Sequence, residues 1–358
     1  MPTFPSKPGD VLPQWLTERL REAELLGEGE VSELTWEPIG TGQVGDSARF
    51  HLSYSGGSGP ATLAGKFPAE DPTSRGTAVM MGLYRKEVGF YRDVAPRLKV
   101  RTPGVIASEI SDDGGDFILL FEDLGPARGG NQLESCSAPD AREAVKQAAA
   151  IHAPSWNSAE IVDQALFQTP PEVTAQLKAL YPQAHAVFEE RYAGTLEPEF
   201  MQLCDELNEL SQLIFDHREG DQCIVHGDFR LDNMLFDIKG GSEPIAVLDW
   251  QTVTIGNALT DVGYFLGCGI GDELRRAYES ELLDLYCYEM TQRGVAMSRK
   301  SIWDDYRIGA LHGVSTAVFS AAFVERTERG DANFLSMARG ACALALEHDS
   351  IGALKGRL

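Results

Sequence analysis

The sequence is poor in basic residues and in the features that mark secreted, membrane-spanning or metal-stapled chains. Against 54 acidic side chains stand only 31 lysines and arginines, a formal net charge of −23 over 358 residues. Nucleic acid and anionic membranes attract proteins through basic patches, so this balance excludes both as natural partners. The acidity is shared by both ends of the chain, as a solubilising surface would be. The six cysteines, Cys136, Cys204, Cys223, Cys268, Cys287 and Cys342, contain no CxxC pair. They predict neither a zinc site nor a disulfide framework, but reduced thiols in a cytoplasm. The opening MPTFPSKPGD has no apolar run behind a basic start, which predicts no secretory signal. The longest largely apolar stretch, IGALHGVSTAVFSAAFV at residues 308 to 324, falls short of the roughly 20 residues a bilayer needs and reads as a buried core helix. No internal repeat or low-complexity tract is present.

What remains is a hydrophobic fraction of 43% and an aromatic fraction of 9%, ordinary for a globular protein long enough for two lobes. A short amphipathic helix over about 13–26 is followed by the alternating runs VSELTWEPI, ARFHLSY and ATLAGKF, which predict strands separated by Gly-rich turns. A helix over about 75–95 and two more strand runs, VIASEI and DFILLFEDL, complete a mostly antiparallel sheet with one main helix on it. GPARGGNQLESCSAP, residues 125–139, reads as a connector. The pattern beyond it is helical, near 138–153, 172–192, 198–217, 272–293, 301–326 and 332–348, broken only by the strand-like runs NMLFD and IAVLDW. The expected architecture is α+β: a small sheet lobe over 1–124 and a larger, mostly helical lobe over 125–358, with the link near 122–137.

The chemistry concentrates in HGDFRLDN, residues 226–233. Asp228 and Asn233 stand five positions apart, and Asp249 ends the apolar run IAVL sixteen residues later. A hairpin through the turn at 237–244 brings Asn233 near Asp249. An amide oxygen, a carboxylate and phosphate oxygens make the hard oxygen shell that magnesium prefers. Asp228 is then free to accept a proton from a substrate hydroxyl, the arrangement of a phosphoryl-transfer site. Taken alone, each of these residues is also an ordinary turn or cap residue. His226 abuts an apolar run and reads as a packed, hydrogen-bonded imidazole.

GTGQVG, residues 40–45, fits both a phosphate-covering flap and a dinucleotide-binding loop. It is followed by a strand and then by Lys66 in a third strand, the order of a flap, so Gly40, Gly42, Val44 and Gly45 are candidate nucleotide contacts. Around Glu87, in YRKEVGFY, helical spacing places Met80, Tyr84, Tyr91 and Val94 on the same face. A carboxylate in an apolar stripe needs a cation, and Lys66 is the candidate. FILLFEDL ends at the lobe junction, where the backbone of Glu122, Asp123 and Leu124 can read an adenine edge, with side chains mattering little.

With these residues in view, the chain resembles the aminoglycoside phosphotransferase and choline kinase superfamily, of protein-kinase-like bilobal fold. HGDFRLDN and VLDWQ carry the aminoglycoside phosphotransferase pattern. KEVGFY, LLFEDL and HGDFRLDNMLF together are similar to the ecdysteroid-kinase-like branch. The resemblance runs from about residue 30 to residue 270. It implies ATP and Mg2+, Asp228 as catalytic base, Asn233 and Asp249 on magnesium, Lys66 with Glu87 ordering the phosphates, Arg230 near the transferred phosphate, and Asp261 bracing the catalytic loop. Gly227 replaces the arginine of protein kinases, Trp250 and Gln251 stand where those enzymes have Phe-Gly, and no APE follows. Control by activation-loop phosphorylation and a protein substrate are therefore not expected; the acceptor implied is a small-molecule alcohol. An inactive, nucleotide-binding relative acting as a scaffold and a nicotinamide-dependent oxidoreductase built on GTGQVG are the rival readings. Within the kinase reading, amino sugars, choline, sterol-like alcohols and hydroxyacyl compounds all stay open. His312, Trp303, Tyr306 and Phe319 line either an acceptor pocket or the core.

Overall fold

The structure is a computed structural model that describes residues 3–40, 44–216, 220–324 and 326–357. Helix α1 (Pro13–Glu22) packs beneath strand β1 (Glu30–Pro38), which is followed by β2 (Gly45–Ser55) and β3 (Thr62–Pro68). After helices α2 (Pro72–Met80) and α3 (Leu83–Gly89) come β4 (Val105–Ile110) and β5 (Phe117–Glu122). These strands form one antiparallel sheet in the order β1-β2-β3-β5-β4. β5, buried from Phe117 to Phe121, sits between β3 and β4, as its unbroken apolar run FILLF requires.

The helix expected over 75–95 is two helices. Gly82, at φ +68°, turns the chain into the left-handed region that favours glycine and separates α2 from α3. The break removes Met80 from the stripe around Glu87: Met80 is 81% exposed, whereas Tyr84, Tyr91 and Val94 are buried. Beyond α3 a wide five-residue turn, Phe90–Val94, continues the same buried face.

The presumed connector is tied down early. Arg128–Gly129 form β6, paired with β8 (Met234–Asp237), which in turn pairs with β9 (Glu243–Val247). Between them β7 (Cys223–Val225) pairs with β10 (Thr254–Gly256). The rest of this lobe is helical: α4 (Ala138–Ser155), α5 (Pro171–Tyr192), α6 (Pro198–Glu209), α7 (Leu259–Tyr264), α8 (Asp272–Gln292), α9 (Arg299–Phe323) and α10 (Glu328–Glu347). The helix expected over 198–217 breaks at Leu210, which leaves helical geometry at φ −102° before a one-turn helix, Ser211–Asp216. Helix α7 lacked a sequence signal long enough to be read. The apolar run at 308–324 lies within and just past α9 as a core helix, and no helix among the described residues is long and apolar enough to cross a membrane. All six cysteines are free thiols.

The small sheet rests on the helical lobe through one continuous core. Phe90 stacks on Trp250 at 3.8 Å between ring centroids, and Phe117, Leu119 and Phe121 of β5 join Phe229, Leu231 and Val247 in the same cluster. The residues of interest sit along this seam.

Candidate active site

β7 delivers the chain into the loop His226–Asn233, whose shape is fixed from below. Asp261, fully buried on α7, accepts the backbone N–H of His226 at 2.7 Å and of Gly227 at 2.9 Å, one on each carboxylate oxygen. His152 of α4 lies 3.2 Å from the same carboxylate through Nε2, and its Nδ1 lies 2.9 Å from the Tyr286 hydroxyl. Burial works to raise the Asp261 pKa, but the hydrogen bond and charge of His152 and the donors at His226 outweigh it, and the carboxyl is held below its ordinary value. His226 is buried and donates Nε2–H to the Leu248 carbonyl at 2.8 Å, while its Nδ1 accepts the Asp228 amide at 3.3 Å. It is the packed imidazole its sequence context predicts. Gly227 adopts φ +80°, and a Cβ there would lie 2.7 Å from the Thr252 carbonyl oxygen. The arginine of protein kinases has no room at this position.

The Asp228 side chain keeps a quarter of its surface open but is not free of partners. Asn233 donates Nδ2–H to Asp228 Oδ2 at 2.9 Å and to its backbone carbonyl at 2.8 Å. Tyr264 donates its hydroxyl to Oδ1 at 2.9 Å, and Arg230 Nε lies 2.9 Å from the same oxygen. Burial opposes ionisation, yet Arg230, His226 and Tyr264 together hold the Asp228 carboxyl below its ordinary pKa. Arg230 is thus folded onto Asp228 and, through Nη1, onto Asp232 at 2.9 Å. Its guanidinium therefore sits at the Asp228 carboxylate, paired with two neighbouring carboxylates.

The hairpin β8–β9 brings the next two residues together. Leu248 N–H donates to the Asn233 carbonyl at 2.8 Å, so Asn233 and Asp249 leave adjacent strands side by side. Asp249 stands at φ +60° in the left-handed region. Its Oδ1 lies 2.8 Å from Lys66 Nζ, and Lys66 also lies 2.8 Å from Glu87. The Glu87 side chain is 1% exposed and Lys66 15%, while Asp249 keeps 31% of its surface open, so the cluster is dry at Glu87 and opens to solvent at Asp249. Burial alone would lower the Lys66 pKa, but Asp249 and Glu87 outweigh it and the ammonium is held above its ordinary value. Glu87 is shifted upward, burial outweighing the pull of Lys66.

Asn233 turns its amide nitrogen to Asp228, which leaves its amide oxygen as an acceptor, and its backbone adjoins Leu248, the residue before Asp249. Two hard oxygen donors suit magnesium, which takes one or two protein ligands and completes its shell from phosphates and water. Among the described residues no cluster of three or more His, Cys, Asp or Glu side chains forms a metal cage.

Of the flap residues, Gly42 lies outside the described residues. Gly40 takes φ +75° at the end of β1. Gly45 opens β2 where a Cβ would approach Lys66 Cε to 3.3 Å, so glycine permits the close pass. The Val44 carbonyl accepts the Tyr84 hydroxyl at 2.7 Å, and the Tyr84 hydroxyl oxygen accepts the Ala69 amide at 3.0 Å. The junction differs from expectation in its side chains. Glu122 reaches Arg101 at 2.6 Å and Lys239 at 2.7 Å, while Asp123 takes Arg49 Nε at 2.7 Å. These ion pairs clamp the junction to both lobes. The Glu122 amide and the Leu124 carbonyl are engaged by Gly104 and by the Lys239 amide, so those two backbone groups do not face an open cleft.

Three further side chains complete the site, two of them, Tyr264 and His152, without a local sequence signal and the third, His312, expected only to line a pocket or the core. Tyr264 holds the Asp228 carboxylate, His152 holds Asp261, and His312 of α9 sits 2.9 Å through Nε2 from the Gly227 carbonyl. Each meets its partner across more than 30 positions, beyond any periodicity argument.

Residues 81–295 match the model of the Phosphotransferase enzyme family. A stretch of 91 residues is 33% identical to acyl-CoA dehydrogenase family member 11 of Mus musculus, covering 22% of this chain and 11% of that protein. A stretch of 47 residues is 47% identical to the Homo sapiens member, covering 13% and 6%. The match therefore spans about a tenth or less of these much longer relatives. Among solved structures, a choline kinase from Cryptosporidium parvum Iowa II superposes with a TM-score of 0.55 at 13% identity, over 96% of this chain and 97% of that one. A putative aminoglycoside phosphotransferase from Ralstonia eutropha JMP134 gives 0.54 at 17% identity, over 93% and 98%. At such identities the shared property is the two-lobed fold.

Proposed function

The chain belongs to the phosphotransferase enzyme family, and we propose that it transfers the γ-phosphoryl group of ATP to a hydroxyl of a small molecule. The observation that carries this reading is the convergence of Lys66, Glu87 and Asp249 at 2.8 Å contacts, on the same seam where Asn233 joins Asp249's strand to Asp228.

In the proposed reaction the acceptor oxygen forms a bond to the γ-phosphorus as the bridging P–O bond breaks, ADP leaves, and the hydroxyl proton passes to the Asp228 carboxylate. Such transfer leaves the protein little covalent work, and positioning and charge compensation carry the rate. Asp228 suits the first task, since hydrogen bonds from Asn233 and Tyr264 fix its carboxylate and the Arg230 charge helps keep it ionised. Lys66 suits the second: Glu87 holds the ammonium in place and keeps it charged. Asn233 and Asp249 would hold a magnesium ion, which neutralises charge on phosphate oxygens. Asp261, through two backbone N–H groups, keeps the loop from relaxing.

The matched relatives carry names of acyl-CoA dehydrogenase family members, which puts hydroxyacyl compounds on the acceptor panel beside amino sugars, choline and apolar alcohols. The test is ATP consumption with magnesium over that panel, with Asp228→Ala as control. Acceptor-dependent turnover that the variant lacks supports the reading. Turnover equal in both proteins, or tight nucleotide binding with no transfer to any class of alcohol, opposes it.

A further inference from the structure

The peptide bond that joins Gly227 to Asp228 is held at both ends by imidazoles. His312, on α9, lies 2.9 Å through Nε2 from the Gly227 carbonyl, and the Asp228 amide donates to His226 Nδ1 at 3.3 Å. The two rings present opposite polarities. A carbonyl can only accept, so His312 carries a proton on Nε2. His226 spends its Nε2–H on the Leu248 carbonyl at 2.8 Å, which leaves Nδ1 as the lone pair that the Asp228 amide meets. The neighbouring backbone groups are already engaged. Asp261 accepts the N–H of His226 and of Gly227, and the Thr252 hydroxyl donates to the His226 carbonyl at 2.9 Å. His312 also bears on Asp228 by a second route. Its ring meets that of Tyr264 edge-on at 5.3 Å between centroids, and the Tyr264 hydroxyl donates to Asp228 Oδ1 at 2.9 Å.

We infer that His312 is a positioning residue for phosphoryl transfer: by donating to the Gly227 carbonyl it fixes the peptide that carries Asp228, and with it the direction in which the carboxylate faces the acceptor. The inference rests on the phosphotransfer reading of the site and adds to it a residue from a helix outside the loop. Gly227 stands at φ +80°, and a glycine, lacking Cβ, tolerates either orientation of the peptide that follows it. The two imidazoles remove that freedom. With the peptide turned over, the carbonyl oxygen would face the His226 lone pair and the amide would face the His312 N–H, two contacts of like polarity in place of two hydrogen bonds. His226 is braced nearby through Leu248, whereas His312 reaches the loop from 85 positions away. Loss of its N–H acts on the base and spares the nucleotide side, since the contacts among Lys66, Glu87 and Asp249 do not pass through α9. A reacting group displaced by about 1 Å can lose on the order of 100-fold in rate.

The experiment separates the donor from the shape of the ring, in the full chain. His312→Gln places an amide N–H at the reach of Nε2, His312→Asn carries the same amide one methylene short, and His312→Leu fills the space without a donor. One readout is hydrogen exchange of the backbone amides of residues 226–229; the other is kcat by ATP consumption, with acceptor KM and with ATP affinity by calorimetry. We expect His312→Asn and His312→Leu to exchange these amides roughly 10-fold faster and to lose roughly 30-fold in kcat, with ATP affinity within about twofold of wild type. His312→Gln recovers exchange and kcat to within about fivefold of wild type, because it restores the donor. His312→Asn keeps the site polar, so the comparison stands even where His312→Leu does not fold. Equal losses in His312→Gln and His312→Asn, or wild-type kcat and exchange in His312→Asn, overturn the inference and leave the phosphotransfer reading standing. Absence of turnover with any acceptor counts against phosphotransfer, and the clamp is then decided by exchange alone: faster exchange in His312→Asn than in His312→Gln supports it, and equal exchange ends it.

Discussion

The Lys66 ammonium and the Asp249 carboxylate, 183 positions apart in sequence, meet at 2.8 Å. One comes from the third strand of the sheet lobe and the other from the end of a hairpin in the helical lobe. This contact, with Glu87 as the third member, joins the lobes by charge at the point where they are joined by packing through Phe90 and Trp250.

Removing Lys66 strands Glu87, which is 1% exposed. Lys66→Ala is expected to lose about 3 kcal/mol of stability, as when one partner of a buried pair is deleted, and to weaken nucleotide binding. Lys66→Met with Glu87→Leu removes both charges and is expected to recover most of the stability while remaining inactive. Chemical denaturation and a turnover assay separate the two effects, and a double variant as unstable as Lys66→Ala would show that the pair is not the source of the loss.

Asp249 requires two things at once, a carboxylate and the left-handed backbone at φ +60°. Asparagine tolerates that conformation better than alanine does. Asp249→Asn is therefore expected to fold with near wild-type stability yet lose at least 10-fold in magnesium-dependent ATP affinity, while Asp249→Ala also loses about 1 kcal/mol in stability. Titration of each variant with ATP, with and without magnesium, decides it; equal affinities in wild type and Asp249→Asn would remove Asp249 from the metal's shell.

Gly227 should tolerate no side chain. Its positive φ and the 2.7 Å approach a Cβ would make to the Thr252 carbonyl predict that Gly227→Ala costs about 2 kcal/mol and displaces Asp228, reducing turnover at least 100-fold. Thermal melting and kcat measured together check this, and an alanine variant with full activity would show that the loop has slack the geometry does not.

Asp261 gives a pH signature. Its pKa is depressed in the folded protein, so the stability it contributes is present at neutral pH and is lost as pH falls from the ordinary carboxylate value of 3.8 downward. Asp261→Asn should lower Tm at pH 7 but narrow the difference between wild type and variant as pH drops below about 4. A difference that stays constant from pH 7 to pH 3 would mean that the buried carboxylate is not ionised in the native state.

Much of this site was legible because its spacing is local or its burial is expensive. HGDFRLDN followed by a hairpin leaves Asn233 and Asp249 little choice but adjacency. Glu87 in a buried helical face demanded a cation, and a strand lysine was the cation available, even though Met80, one of the residues used to draw that face, lies on the far side of the Gly82 break. Tyr264 and His152 were not legible, and His312 was legible only as a pocket or core residue, because each sits on a helix whose pattern reports only that it is buried. The clamp at Glu122 and Asp123 was not legible for the same reason: Arg49 is 74 positions from Asp123, and Lys239 lies beyond β8. Arg230 was placed by analogy beside phosphate; its pairing with Asp228 and Asp232, its own neighbours in sequence, is what the analogy did not state.

The most direct measurement is a paired one on Asp228→Ala, with ATP affinity by calorimetry and phosphoryl transfer to the best acceptor by product formation. The account predicts ATP affinity within about threefold of wild type and transfer reduced at least 1,000-fold, within the range that general base catalysis supplies. Transfer by the variant at a near wild-type rate would contradict the assignment of Asp228 as the base and, with it, the proposed role of the loop.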